Sequence, residues 1–258
     1  MKRFSKLFSV FILTLFFFNV KVFAQTDTLT QISTIDALLI GIYDGEMTIG
    51  ELKQYGDFGL GTFNGLDGEM LVLDGRFYQI TSDGVVRQPD INTKTPFAAI
   101  TYFETDQKFI LQPDTTFRSF EKQMDSLIPT PNIFYAIRIE GVFRKVKTKS
   151  VPRQKKPYRS LKEIAKDQPT FDFKDIEGTI VGFRCPDYMK GINVPGYHLH
   201  FLTRDGKAGG HVLEFTVQKA VAKIDQTSKF FLILPDDREF YGADLSKDKQ
   251  ADLKQVEK

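Results

Sequence analysis

The chain has 258 residues, of which 41% are hydrophobic and 26% are charged, so it can bury one large core or two smaller ones. Its formal net charge is only +2, so the chain has no large excess of positive charge for binding nucleic acid. Length, composition and charge therefore indicate a globular protein and argue against both a disordered chain and a nucleic-acid-binding protein.

Residues 1–24 are predicted to be a secretory signal peptide. Lys2, Arg3 and Lys6 precede an apolar run over residues 7–20, and Ala24 supplies a small residue at the cleavage position. The apolar run is shorter than the ~20 residues that a membrane-spanning helix needs. Cleavage after Ala24 would remove four basic residues and no acidic ones, which changes the net charge from +2 to −2. We therefore expect export to the periplasm or the outside, with no membrane association after cleavage.

Residues 25–131 are predicted to form an N-terminal lobe with a mixed β-sheet and short helices. A Ser or Thr followed three residues later by an acidic residue is typical of a helix start, and Asn-Gly and Asp-Gly pairs between apolar runs are typical of hairpin turns. In chain order, these patterns predict a helix at 33–40, a helix at 48–55, a β-meander at 59–87, strands at 97–103 and 108–112, and a helix at 119–127.

Glu69 begins a predicted strand that is apolar on both faces. Leu71 and Leu73 share the face of Glu69, whereas Met70 and Val72 lie on the other face. A carboxylate in such a strand needs a partner, a proton or a nearby cation. Two interpretations stay open from the residues alone: Glu69 enters a buried functional site, or it is a strand-end acid satisfied by turn amides.

Residues 132–258 are predicted to form a smaller C-terminal lobe, an antiparallel β-sheet or barrel, after a boundary at Pro129 and Pro131. The overall prediction is an α/β (α+β) fold with two lobes. Cys185 is the single cysteine and is interpreted as a packed thiol, and the charged segment from Lys247 is predicted by composition to be disordered. In chain order, the predicted elements are a strand at 134–150, a helix at 160–168, and strands at 179–183, at a hairpin around 197–211 and at 230–234.

All three histidines lie in the stretch Y-H-L-H-F-L-T-R-D-G-K-A-G-G-H, which covers residues 197–211. Side chains two residues apart project from the same face of a strand, so His198 and His200 share a face. The turn residues that follow can reverse the chain and return His211 to that face. An isolated His-x-His pair is more often structural, but three clustered histidines predict a tetrahedral divalent-metal site, zinc first, with a fourth position open to water or substrate.

Two stretches resemble bacterial alpha-acetolactate decarboxylases. Residues 191–215 read GINVPGYHLHFLTRDGKAGGHVLEF and are similar to the zinc-binding segment of that family, and residues 62–75 read TFNGLDGEMLVLDG and are similar to its N-terminal segment. The resemblance extends over nearly the whole chain after residue 30. It implies that the chain converts 2-acetolactate, a small 2-hydroxy-3-oxo acid, to acetoin and carbon dioxide. It also supports the two-lobed fold and suggests a homodimer.

The resemblance implies roles for individual residues. The zinc ligands of the family fall on His198, His200 and His211, and its N-terminal active-site glutamate falls on Glu69. These four positions match the family pattern.

Two further positions match the family less well. Where the family usually reads T-R-T-V, residues 148–151 read T-K-S-V, so Lys149 keeps the positive charge but lacks the guanidinium fork. Arg153 is a second candidate for the arginine of the family. The last active-site acid of the family falls on Glu257, which requires the charged tail to fold back over the metal; a frayed terminus is the alternative.

A zinc ion with an open position polarises a carbonyl or ionises water, so the residues alone do not choose between decarboxylation and hydrolysis. The resemblance implies decarboxylation, in which zinc chelates the ketone and hydroxyl oxygens and stabilises the enediolate that remains when carbon dioxide leaves. Glu69 or Glu257 would handle the proton, and Lys149 would orient the substrate. The alternatives are a non-catalytic exported zinc- or ligand-binding protein, suggested by the change at Lys149, and a zinc hydrolase.

Overall fold

The structure is a computed structural model that describes residues 27–257, so the predicted signal peptide lies outside the described residues. The strands of this range are β1 (Thr28–Ile32), β2 (Met47–Thr48), β3 (Phe58–Thr62), β4 (Glu69–Leu73), β5 (Arg76–Ile80), β6 (Val86–Arg87), β7 (Lys94–Thr95), β8 (Ala98–Thr101), β9 (Gln107–Leu111), β10 (Phe134–Lys149), β11 (Thr170–Cys185), β12 (Gly196–Thr203), β13 (Gly209–Thr227) and β14 (Lys229–Ile233). The α-helices are α1 (Ile35–Leu39), α2 (Ile49–Leu52), α3 (Phe117–Leu127), α4 (Leu161–Ile164), α5 (Arg238–Tyr241) and α6 (Gln250–Val256). Within the same range, no helix combines the length and the apolar character needed to cross a membrane.

The first sheet has seven strands in the order β14-β1-β8-β3-β4-β5-β6. Its neighbours are antiparallel except β1 and β14, which are parallel, so the sheet is mixed only through β14, which lies outside the predicted N-terminal lobe. Strand β1 is missing from the sequence prediction because its partner β14 lies about 200 residues away, and no local turn signal joins the two strands.

The second sheet has five strands in the order β10-β11-β12-β13-β9, and β13 also pairs with β10. The pairings of β10, β11, β12 and β13 therefore form a closed ring, as in a small barrel. Strands β10, β11 and β13 have 16, 16 and 19 residues, and β11 and β13 are much longer than the sequence predicted. Register shifts between β10 and β13 indicate bulges, which bend long strands enough for closure.

The prediction of a mixed α/β fold is confirmed, with strands predominating and more than one sheet. Each large sheet takes one strand from the other side of residue 131: β14 joins the first sheet, and β9 joins the second. The division into two lobes at residue 131 therefore stays a prediction. One apolar cluster contains Phe58 and Leu71 of the first sheet together with Phe183 and Leu202 of the second, so the two sheets share a core.

The charged C-terminal segment is ordered, and the prediction of disorder from Lys247 onward was wrong. Helix α6 buries Leu253 and Val256 in an apolar cluster with residues of α1 and α4, such as Leu38 and Leu161. These two residues are three positions apart and therefore share one face of the helix. Average composition cannot reveal such a face, because the few apolar residues of the tail are stabilised by a surface that distant elements provide.

Candidate active site

The three histidines lie together because of the pairing between β12 and β13. The register places His200 directly opposite His211, and His198 is two residues before His200 on the same face. Gly210 allows β13 to approach β10 here: its φ is +140°, and a Cβ atom would lie only 2.6 Å from the Lys149 carbonyl oxygen. One side-chain nitrogen from each histidine lies within 4.8 Å of the other two.

Hydrogen bonding and burial keep the imidazoles in the form that binds metal. The Nδ1 of His200 lies 2.8 Å from the Met70 carbonyl oxygen, which can only accept, so Nδ1 carries the proton and Nε2 is bare. Burial lowers the pKa of His198 to about 3 and holds the pKa values of His200 and His211 well below the ordinary value. The group is therefore neutral at physiological pH.

Two buried ring nitrogens of this group, His198 Nδ1 and His200 Nε2, have no hydrogen-bond partner. An unsatisfied buried polar atom costs about 1–3 kcal/mol, so such atoms are rare unless a ligand completes the site. Three neutral imidazoles with converging nitrogens are a donor set for a divalent metal ion. The residues present therefore fit a metal ion.

Glu69 lies beside this group at the start of β4. Its carboxylate Oε2 is 3.5 Å from His200 Nε2, and its side chain is only 12% exposed. Burial raises the pKa of Glu69 to about 8, while the positive charge of Lys149 acts in the opposite direction, as a bound metal ion would also do. The structure supports the interpretation of a buried acid at a site, since Glu69 lies against His200 and lines the same cavity as His198 and His211.

Lys149 reaches the site from the end of β10, where it is paired with His211. Its side chain is buried, and its Nζ donates a hydrogen bond to the carbonyl oxygen of Val256. Burial lowers the pKa of Lys149, and the carboxylates of Glu257 and Glu69 oppose that shift. Arg153, the other candidate cation, has an exposed side chain 3.9 Å from an Asp67 oxygen and does not line the cavity.

Glu257 enters the site because α6 folds back over the barrel. Its backbone N–H caps the helix on the Leu253 carbonyl, and its Oε2 lies 3.7 Å from His211 Nε2. Burial raises the pKa of Glu257 to about 7, and the positive charge of Lys149 opposes the shift. An ion pair of 2.6 Å between Lys162 and Asp252 adds a polar contact between α4 and α6.

The predicted site residues line one cavity with a volume of about 50 Å³, except His200, whose side chain is buried. One wall is apolar and combines residues of α1, α4 and α6 with neighbouring segments. The sequence analysis missed this wall, and it also missed Gln168, since nothing in the local pattern distinguishes a glutamine at the end of a predicted helix. The apolar members of the wall are Ile35, Leu38, Leu66, Phe97, Val151, Leu161 and Val256.

Comparison with known proteins gives a consistent result. The family model described as alpha-acetolactate decarboxylase matches residues 29–247. A curated alpha-acetolactate decarboxylase of Methanosarcina mazei is 49% identical over 233 residues, which cover 90% of this chain and 81% of the relative. One of Methylococcus capsulatus is 46% identical over 227 residues, covering 88% of this chain and 87% of the relative. The crystal structure of alpha-acetolactate decarboxylase from Bacillus subtilis strain 168 superposes with a TM-score of 0.87 at 42% identity, covering 89% of this chain and 99% of that chain.

Proposed function

Because the chain belongs to the alpha-acetolactate decarboxylase family and is therefore a carboxy-lyase, we propose that it releases acetoin and carbon dioxide from 2-acetolactate with the help of zinc. The observation that carries the zinc proposal is the buried group of three histidines, which shares its cavity with Glu69, Lys149 and Glu257. Zinc is preferred among divalent metals because three neutral imidazoles with a further open position are typical of catalytic zinc sites.

His198, His200 and His211 would hold the ion. When bound, zinc would supply a Lewis acid that withdraws charge from substrate oxygens. The Met70 carbonyl oxygen accepts a hydrogen bond from His200 Nδ1. The imidazole ring therefore cannot rotate away from the site without losing this bond.

Lys149 and the apolar wall orient the substrate. A buried ammonium group attracts the substrate carboxylate more strongly than a solvated one, since less water screens the charge. The apolar wall receives the methyl groups of the substrate, and α6 limits the access of water to the cavity.

Glu69 and Glu257 are the residues that can deliver a proton to the carbon from which carbon dioxide leaves. The two carboxyl groups lie against different histidines, Glu69 at His200 and Glu257 at His211, and both line the cavity. They also come from different elements, β4 and the end of α6, so they approach the cavity from separate directions. Either carboxyl group is placed to hold a proton close to the reacting carbon.

The proposal is tested by acetoin release from racemic 2-acetolactate. The protein beginning at Gln25 is loaded with zinc, and a matched sample is stripped with a chelator. We expect rapid release from the loaded sample, loss of release on stripping, and recovery when zinc is added back. Bound zinc without acetoin in a folded sample would contradict the proposal and favour a binding protein, whereas metal-dependent cleavage of activated esters alone would favour a hydrolase.

Lys149→Arg is expected to retain activity within about tenfold, because arginine keeps the positive charge next to the carboxylate and adds a planar fork. Lys149→Met, which keeps the length but removes the charge and the bond to Val256, is expected to lower kcat/KM at least about 100-fold, the range for losing a charged hydrogen bond in a buried site. The measurement is kcat/KM for 2-acetolactate. Equal losses in both variants would show that the position has only a structural role.

We also propose that residues 1–24 direct export and that the mature protein is a homodimer. The basic residues followed by an apolar run support export, and the resemblance to the family suggests the dimer. N-terminal sequencing of the protein recovered outside the cytoplasm should begin at Gln25, and light scattering should give twice the mass of one chain.

A further inference from the structure

Gln168 carries the single carboxamide among the described residues that line the active-site cavity. Its Oε1 atom is buried and has no hydrogen-bond partner. Leaving a buried acceptor unpaired costs about 1–3 kcal/mol, so this oxygen is suited to receive a donor that arrives with a ligand.

The backbone fixes the position of Gln168. It follows directly after a short 3-10 turn at residues 165–167 that extends α4, and it is followed by Pro169, which restricts its backbone to an extended conformation. The Pro169 carbonyl accepts a hydrogen bond from the Ser150 amide at 3.2 Å, and Thr170 pairs with Lys149. Gln168 is therefore held beside the end of β10, two residues before the position that pairs with Lys149.

The other polar groups of the cavity already have partners or an assigned role. The Thr62 hydroxyl donates to the Gly68 carbonyl at 2.7 Å, and Lys149 donates to Val256. Glu69 and Glu257 lie against the histidines. The carboxamide of Gln168 provides a neutral acceptor and a neutral donor on one rigid group.

We propose that Gln168 recognises the 2-hydroxy acid group of the substrate. Its Oε1 accepts a hydrogen bond from the hydroxyl group, and its Nε2 donates one to a carboxylate oxygen. A hydroxyl group and a carboxylate on the same carbon present one donor and one acceptor side by side, which complements the carboxamide. This assignment rests on the proposed function for the identity of the substrate.

The consequence is selectivity for acids with a hydroxyl group at carbon 2. An acid that carries a methyl group in place of the hydroxyl leaves the Oε1 atom of Gln168 buried and unpaired. The complex then lacks this hydrogen bond, and the desolvation cost of Oε1 is not offset. A site built to bind a hydroxyl group discriminates against the analogue without it for this reason.

The test compares two small acids that differ only at this group, 2-hydroxy-2-methylpropanoate and 2,2-dimethylpropanoate. Their Kd values are measured by calorimetry on the zinc-loaded protein, which requires no turnover. We expect the wild-type protein to bind the hydroxy acid at least about tenfold more tightly. Gln168→Met removes both hydrogen bonds and should reduce this ratio at least about fivefold.

Gln168→Glu distinguishes the hydrogen bond accepted by Oε1 from the hydrogen bond donated by Nε2. The carboxylate still accepts from the hydroxyl group but repels the carboxylate of both ligands, so both Kd values should rise while their ratio is kept. Gln112→Met, at an exposed glutamine outside the cavity, is the matched control and should leave both Kd values unchanged. Zinc content and the thermal unfolding midpoint verify that each variant is folded.

A wild-type ratio near one, or an unchanged ratio in Gln168→Met, would overturn the assignment. If Gln168→Met does not fold, the isosteric variant Gln168→Glu provides the test instead. Unchanged Kd values for both acids in Gln168→Glu would also overturn the assignment. A wild-type protein that prefers the hydroxy acid but forms no acetoin would refute the decarboxylase proposal and leave the role of Gln168 intact.

Discussion

Replacement of His200 by alanine is expected to remove the bound zinc and the decarboxylase activity together. His200 is paired with His211 across the hairpin, and its bare Nε2 is one of the buried nitrogens without a partner. Removing one of three protein ligands leaves a site with too few donors to retain the ion. We expect zinc to fall below stoichiometric content after dialysis and kcat/KM to fall more than about 1,000-fold, the scale on which a catalytic metal acts.

The measurements are the metal content of the dialysed protein and acetoin release. Tyr197→Phe is the matched control, since Tyr197 precedes this group on the opposite face of β12, where its hydroxyl lies 2.8 Å from Asp125. It should retain zinc and activity. Chelation should lower the unfolding midpoint of the wild type but not of His200→Ala, because only the wild type gains stability from the ion. One tightly held zinc per chain in His200→Ala would show that the ligand set is wrong.

Glu69→Gln is expected to abolish most of the activity while the metal stays bound. Glutamine has the shape of the glutamate but neither its charge nor its exchangeable carboxyl proton. The three histidines are unchanged, so zinc content should match the wild type. Loss of a positioned proton-transfer group typically costs about 100- to 10,000-fold, and we expect kcat to fall within this range.

The stability of this variant is also informative. The buried carboxylate of Glu69 is desolvated, so its replacement by a neutral amide should leave the unfolding midpoint unchanged or raise it. Glu177→Gln, at a position outside the cavity where the side chain pairs with Arg204, should leave kcat unchanged. A Glu69→Gln protein with wild-type kcat would assign the proton transfer to Glu257 instead.

The sequence alone was sufficient where the signal is local. The spacing of His198 and His200 fixes a shared strand face, and the turn residues after Thr203 fix the return of the chain, so the histidine group follows from about fifteen consecutive residues. Short-range periodicity and turn chemistry carry this information because neighbouring residues alone determine it.

Only the tertiary structure decided which distant residues meet the histidines. Lys149, rather than Arg153, faces the cavity because the register of β10 pairs Lys149 with His211. The register between strands some sixty residues apart cannot be read from the local sequence pattern. Glu257 reaches His211 because Leu253 and Val256 of the charged tail pack against apolar residues of α1 and α4. Such contacts depend on burial against parts of the chain more than 100 residues away, such as the bond from Lys149 to Val256, and burial arises only when the whole fold has formed.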